Sequence, residues 1–187
     1  MRCPKDKNTE LLRCKLFDQL SAHQCPNCSG HWISGSDYQG WQASQPSKDA
    51  GPSVFWARDD VQYIPSAKDS LAALCPECGN YLTRGKVGMK PPFYVDRCPG
   101  CGGVWCDCGE WNILVKLGIH ASIPQIFTSD WQLRFRELEL LELERLAIAE
   151  KLGDDLADKL FEIATLLKQH PKGDFGVAYL MRRLEKS

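Results

Sequence analysis

The chain has 187 residues, enough for one ordinary domain or two small ones. With 43% hydrophobic and 25% charged residues and a formal net charge of −1, it has a globular composition and is neither strongly basic nor strongly acidic as a whole. No stretch approaches the ~18 consecutive apolar residues of a membrane-spanning helix. The N-terminal "MRCPKDKNTE" lacks the apolar core of a signal peptide, and Cys3 already belongs to a motif, so a cytoplasmic protein is expected. Ten cysteines in a reducing compartment then point to metal binding, because disulfides are disfavoured there.

Residues 1–43 open with "CPKD", continue for eighteen residues, and reach "CPNCSGHW". Cys3, Cys25 and Cys28 have metal-ligand spacing, and Asp6 stands where a fourth cysteine would complete two Cys-x-x-Cys pairs. Zinc takes four tetrahedral ligands and accepts a carboxylate oxygen at about 2.0–2.2 Å, so Asp6 is a competent fourth ligand. Cys14 and His23, in the intervening hairpin, are its rivals.

Residues 44–72 read as a linker. Its ends are rich in Ser, Pro and Gly, while "SVFWARDDVQYIP" has the β-branched and aromatic content of a short strand pair. Trp41, just before the linker, and Trp56, within it, are expected in the core.

Residues 73–115 repeat the first pattern with a full ligand set: "CPEC", nineteen residues, "CPGCGGVW". The Cys-Pro dipeptide occurs at Cys3, Cys25, Cys75 and Cys98, marking an internal duplication. Cys75, Cys78, Cys98 and Cys101 form two Cys-x-x-Cys pairs, the spacing of a structural four-cysteine zinc site. Two residues between ligands let both sulfurs converge on one ion, and Gly79 and Gly102 let the backbone turn with positive φ. Between the pairs, "YLTRGKVGMKPPFYVDR" predicts two short strands around a Gly/Pro-rich turn, the layout of a zinc ribbon.

Together these motifs resemble the transcription factor IIB-type zinc-finger domain of bacterial and plastid proteins, in two copies. That family's tail resembles W-L-D-x-G-E-L. Here "WCDCGEW" keeps Trp105, Asp107, Gly109 and Glu110, while "WISGSDY" keeps Trp32 and an acid at Asp37. The first copy is the weaker match. The resemblance implies a zinc-ribbon fold, and because a Cys-Pro-x-Asp knuckle recurs in the family it also implies Asp6 as a ligand. Cys106 stands where the family commonly has leucine and reads as a small buried hydrophobe; Cys108 stands at a variable position near the surface. A Cys-x-Cys disulfide between them would be strained.

From Ser129 the composition shifts to Leu, Glu, Ala and Lys. Ser129 or Asp130 is the expected N-cap of a long helix that Gly153 stops. A second helix, about 154–169, carries Leu156, Leu160, Ile163 and Leu167 on one stripe; Pro171 ends it. A third, from Asp174, carries Val177, Leu180, Met181 and Leu184. The expected fold is therefore small α+β: two zinc-ribbon β-hairpin lobes, then a C-terminal helical region, 116–187, with a bundle of about three helices.

Each lobe is about forty residues long, near the size below which metals usually supplement the core. Apparent zinc affinity in small fingers, roughly 10–16 kcal/mol, rivals the stability of a whole domain at about 5–15 kcal/mol. Two zinc ions, one per ribbon, are thus expected as structural staples. A closed four-thiolate site leaves no position for substrate water, and no phosphate loop, nucleophile elbow or His/Glu metal motif is present, so neither catalysis nor a small-molecule substrate is expected. Bases and acids are nearly balanced in each segment, and the Trp-rich ribbons with an amphipathic appendage suit a protein-interaction or adaptor module. The alternatives are nucleic-acid binding through a local basic face (Arg84, Lys86, Lys90, Arg97) and a thiol redox or zinc-buffering role resting on Cys14, Cys106 and Cys108.

Overall fold

The computed structural model describes residues 1–46, 63–88 and 91–185. Each copy contributes three strands and a helix. The first gives β1 (Leu12–Lys15), β2 (Ser21–Gln24), β3 (His31–Ile33) and α1 (Gly35–Gln42). The second gives β4 (Thr83–Val87), β5 (Phe93–Arg97), β6 (Val104–Cys106) and α2 (Glu110–Leu117). Then follow α3 (Ile123–Ile126), α4 (Ser129–Leu152), α5 (Asp154–Gln169) and α6 (Gly173–Leu184). The fold is small α+β, as the sequence predicts. The strand pair expected within 53–65 and the position of Trp56 lie largely or wholly outside the described residues.

The β1–β2 hairpin closes through the three residues Phe17–Gln19, where Asp18 (φ 53) and Gln19 (φ 61) both adopt left-handed backbone and the Leu16 amide donates to Leu20 O. Each ribbon adds a third strand after its second knuckle. These third strands pair with one another: β3 runs antiparallel to β6 with His31 opposite Cys106, Trp32 opposite Trp105 and Ile33 opposite Val104. The two ribbons therefore share one six-stranded antiparallel sheet, β1-β2-β3-β6-β5-β4.

Alternation along the strands sorts the core into two layers. Ile33, Val104 and Cys106 join Tyr38, Trp111 and Leu114 in a cluster beneath the helices. Trp32 and Trp105 point the other way, into a smaller cluster with Cys3, Cys25, Cys75 and Cys98. Gly30 and Gly103 make this second layer fit. A Cβ on Gly30 would lie 2.3 Å from Trp105, and one on Gly103 would lie 2.2 Å from Trp32. Each indole thus covers the other repeat's glycine.

A helix follows each ribbon at the position of the tail motif. Ser34 caps α1, its Oγ accepting from the Asp37 amide at 3.1 Å. In the second copy the Asp107 amide donates to Glu110 Oε2 at 2.7 Å, closing the same turn the other way. Tyr38 binds α1 to the segment after α2: its hydroxyl donates to His120 O (2.8 Å) and accepts from the Ile123 amide (3.1 Å). Trp41 is half-buried and packs with the rings of Tyr38, Trp111 and His120.

The chain forms two compact units, Met1–Arg136 and Glu137–Ser187. The first holds the sheet, α1 to α3 and the start of α4, so the helical region expected from residue 116 begins within it. The second holds the rest of α4 with α5 and α6. No helix among the described residues is long and apolar enough to cross a membrane.

Candidate metal centres

In the second ribbon the four predicted sulfurs converge. Cys75 and Cys101 are 3.6 Å apart, Cys78 and Cys98 are 3.4 Å apart, and all four sulfurs lie within 4.8 Å of one another. Tetrahedral zinc with Zn–S bonds near 2.3 Å would set sulfurs about 3.8 Å apart, so the set fits the ion. None of the ten cysteines is in a disulfide. Backbone amides point at the sulfurs, Glu77 N to Cys75 at 3.4 Å and Cys101 N to Cys98 at 3.5 Å. Gly79 and Gly102, both at φ +75, make the turns possible.

Amides and thiols also bias these sulfurs unequally. At Cys98 desolvation opposes ionisation, but the Cys101 amide and the Cys78 thiol outweigh it and bring the thiol down to about 7. Burial raises Cys101 and Cys75. A thiolate-rich site with one readily ionised sulfur is a competent soft-metal centre.

The first ribbon brings together three sulfurs, Cys3, Cys25 and Cys28, within 4.8 Å, with Cys3 and Cys28 3.6 Å apart. Amides again serve them, Asp6 N to Cys3 at 3.1 Å and Cys28 N to Cys25 at 3.4 Å. Ser29 takes positive φ (57) where the second copy has Gly102.

The Asp6 carboxylate lies outside that 4.8 Å group. It accepts from Asn27 Nδ2, from Thr9 Oγ1 at 2.9 Å and from the Asn8 amide at 3.4 Å, and the Asn27 amide, then Thr9, hold it below the usual carboxylate range. The first knuckle is also one residue wider: Cys3 N reaches Thr9 O, whereas Cys75 N reaches Asn80 O. Neither rival joins the sulfurs. Cys14 packs against the helix-side cluster, where burial raises its thiol. His23 pairs in register with Trp32, and its Nδ1 is buried without a hydrogen-bond partner.

Sequence reasoning missed a buried polar network behind the knuckles. Lys5, beside the first site, donates to Asp96 Oδ2 of the second ribbon at 2.7 Å, with side-chain exposures of 0% and 3%. Arg84 bridges Asp69 (3.2 Å) and Asp96 (3.6 Å). Trp32 Nε1 crosses the repeats to Glu77 (3.0 Å), and Trp105 Nε1 donates to Asp107 (2.7 Å). Asp69, Asp107 and Glu110 form a buried carboxylate group within 4.8 Å. Burial, then the charge of Asp107, pushes Glu110 well above the carboxylate range. Burial likewise raises Asp96 to about 6, with Lys5 and Arg84 pulling the other way. The one signal for this network was the retained Asp107 and Glu110 of the tail.

Cys106 is fully buried opposite His31, and burial followed by the charges of Glu110 and Asp107 pushes its thiol well above the usual range. Cys108 is exposed. Two of the four basic residues of the alternative nucleic-acid face are engaged: Arg84 with its carboxylates and the Tyr94 ring, and Lys86 over the Phe135 ring. Lys90 lies outside the described residues.

Neither curated proteins nor solved structures give a match. A family model described as transcription factor zinc-finger matches residues 2–44, the copy whose tail keeps fewer of the family's residues. That match over residues 2–44 and the two sulfur clusters support a zinc-binding protein.

Proposed function

We propose that the chain is a non-catalytic scaffold with two structural zinc ions, one per ribbon, whose helical second unit serves as a protein-interaction or adaptor module. Cys75, Cys78, Cys98 and Cys101 hold one ion, and Cys3, Cys25, Cys28 and Asp6 hold the other. A second ribbon of the same family at 73–115 is supported by its equivalent strands, knuckles and paired tryptophans. When bound, zinc supplies cross-linking between knuckles that are otherwise joined by small cores. This chain's residues complete the scaffold: the knuckle amides orient the sulfurs, and the Lys5–Asp96 pair ties the first knuckle to the second ribbon.

One observation carries the interaction reading. Among the described residues of the second unit, Ala157 and Gly173 alone are buried, while fifteen large apolar side chains are exposed. Helices without a core of their own are stabilised by what covers them.

The test is co-purification from native lysate with the intact zinc-loaded chain and an Ile163→Asp/Leu180→Asp variant. The reading expects protein bound by the wild type and lost from the variant, with retention on nucleic acid showing no steep salt slope. Retention that falls steeply with salt and ignores the variant would favour nucleic-acid binding. Loss of reactive thiols on mild oxidation, with zinc released, would favour the redox or zinc-buffering role.

A further inference from the structure

The α5–α6 hairpin carries an open apolar groove of about 710 Å³. Leu160 and Ile163 form one wall, and Val177, Leu180, Met181 and Leu184 the other. These side chains keep 41–72% of their surface exposed. Leu167 fills the closed end against Gly176, and no described residue fills the open side.

We infer that the occupant of this groove is a second copy of the same hairpin, so that two chains close their grooves on one another as an antiparallel four-helix bundle. The inference rests on the interaction reading above and names its partner. Two features of the second unit argue for self-association.

The first is area. The six side chains of the two walls, 41–72% exposed, leave on the order of 500 Å² of apolar surface in one groove, more than half of the ~800 Å² per partner of a stable interface. A groove with apolar residues on both walls can also close on its own copy about a two-fold axis, where the same patch serves both partners. Two such hairpins make the core of a four-helix bundle.

The second is charge. α5 starts with Asp154 and Asp155 and ends with Lys168, and Lys172 follows it. α6 starts with Asp174 and ends with Arg182 and Arg183. Each helix thus runs from acid to base, so antiparallel apposition with its own copy sets acid against base at both ends. Parallel apposition would set like against like, which is unfavourable at close range.

The test is the mass of the intact, zinc-loaded chain in solution, by sedimentation velocity at micromolar to tens of micromolar concentration. The expected species has twice the 21.1 kDa chain mass. Ile163→Asp/Leu180→Asp should return it to one chain mass with zinc content unchanged. A second pair of variants guards against simple misfolding. Lys168→Glu/Lys172→Glu and Asp154→Lys/Asp155→Lys should each self-associate at least tenfold more weakly, and an equimolar mixture should form heterodimers preferentially. A wild-type chain that stays single across this range overturns the inference. So does a dimer that survives both apolar substitutions, or a charge-variant mixture with no preference for heterodimers. A single-chain wild type that loses a captured protein on the same apolar substitutions would leave the interaction reading standing and overturn the second copy alone.

Discussion

Trp32 and Trp105 are backbone partners across the β3–β6 seam, and each indole lies over the glycine that precedes the other's strand. This reciprocal arrangement makes two undersized ribbons into one sheet. Each ring takes space that a side chain on Gly103 or Gly30 would occupy, and both indoles are fully buried.

Gly30→Ala and Gly103→Ala should therefore each destabilise the zinc-loaded protein. A methyl group would sit within 2.3 Å of ring atoms that have no room to retreat. Overpacking of this kind costs about 1–3 kcal/mol. The check is the urea midpoint of each variant in excess zinc, with Gly40→Ala, whose Cβ meets nothing within 4 Å, as the control that should change little.

Asp6→Ala separates the candidate fourth ligands of the first site. With Asp6 as the ligand, native mass spectrometry of the variant should find one zinc fewer per chain, and Cys14→Ala and His23→Ala should keep the full count. Asp6→Ala with unchanged zinc would return the fourth position to His23 or Cys14.

Lys5→Ala should cost more than its single hydrogen-bonding group suggests. The change leaves Asp96 buried with Arg84, 3.6 Å away, as its remaining cation. Breaking one side of a buried pair costs about 3–5 kcal/mol, whereas Lys5→Met/Asp96→Leu removes both charges and should recover much of the loss. Equilibrium unfolding of the two variants at constant zinc decides it.

Glu110 gives the pH dependence a sign. Its folded pKa is raised above the unfolded value of about 4.3, so the folded state holds the extra proton. The stability this contributes is complete below about pH 4.3 and declines as pH rises through the folded value. Glu110→Gln keeps a carbonyl oxygen for the Asp107 amide and removes the ionisable group. It should raise the urea midpoint relative to wild type more at pH 8 than near pH 5; an equal shift at both would deny the burial effect.

The four-cysteine set was legible because ligand convergence is local: two residues between cysteines and a glycine at positive φ fix it within one turn. The long helices were legible from period and from Gly153 and Pro171. The seam was not, because it joins strands 73 positions apart and its sequence trace is a glycine and a tryptophan that also suit an ordinary core. Lys5 and Asp96 gave no signal, since a lysine beside a knuckle and an aspartate in a strand both read as surface residues. Ser29 adopts the backbone that glycine usually supplies, so composition hid the equivalence of the two second knuckles. Apolar stripes on α5 and α6 revealed faces that need cover, while the openness of the groove between them required the structure.

The most direct measurement is amide hydrogen exchange at β3 and β6 before and after zinc is stripped by a strong chelator, with metal content verified on the same sample. Slow exchange at Trp32 and Trp105 in the loaded protein and its collapse in the stripped protein is the predicted result. Undiminished protection of both strands in verified zinc-free protein would contradict the role given to the metal.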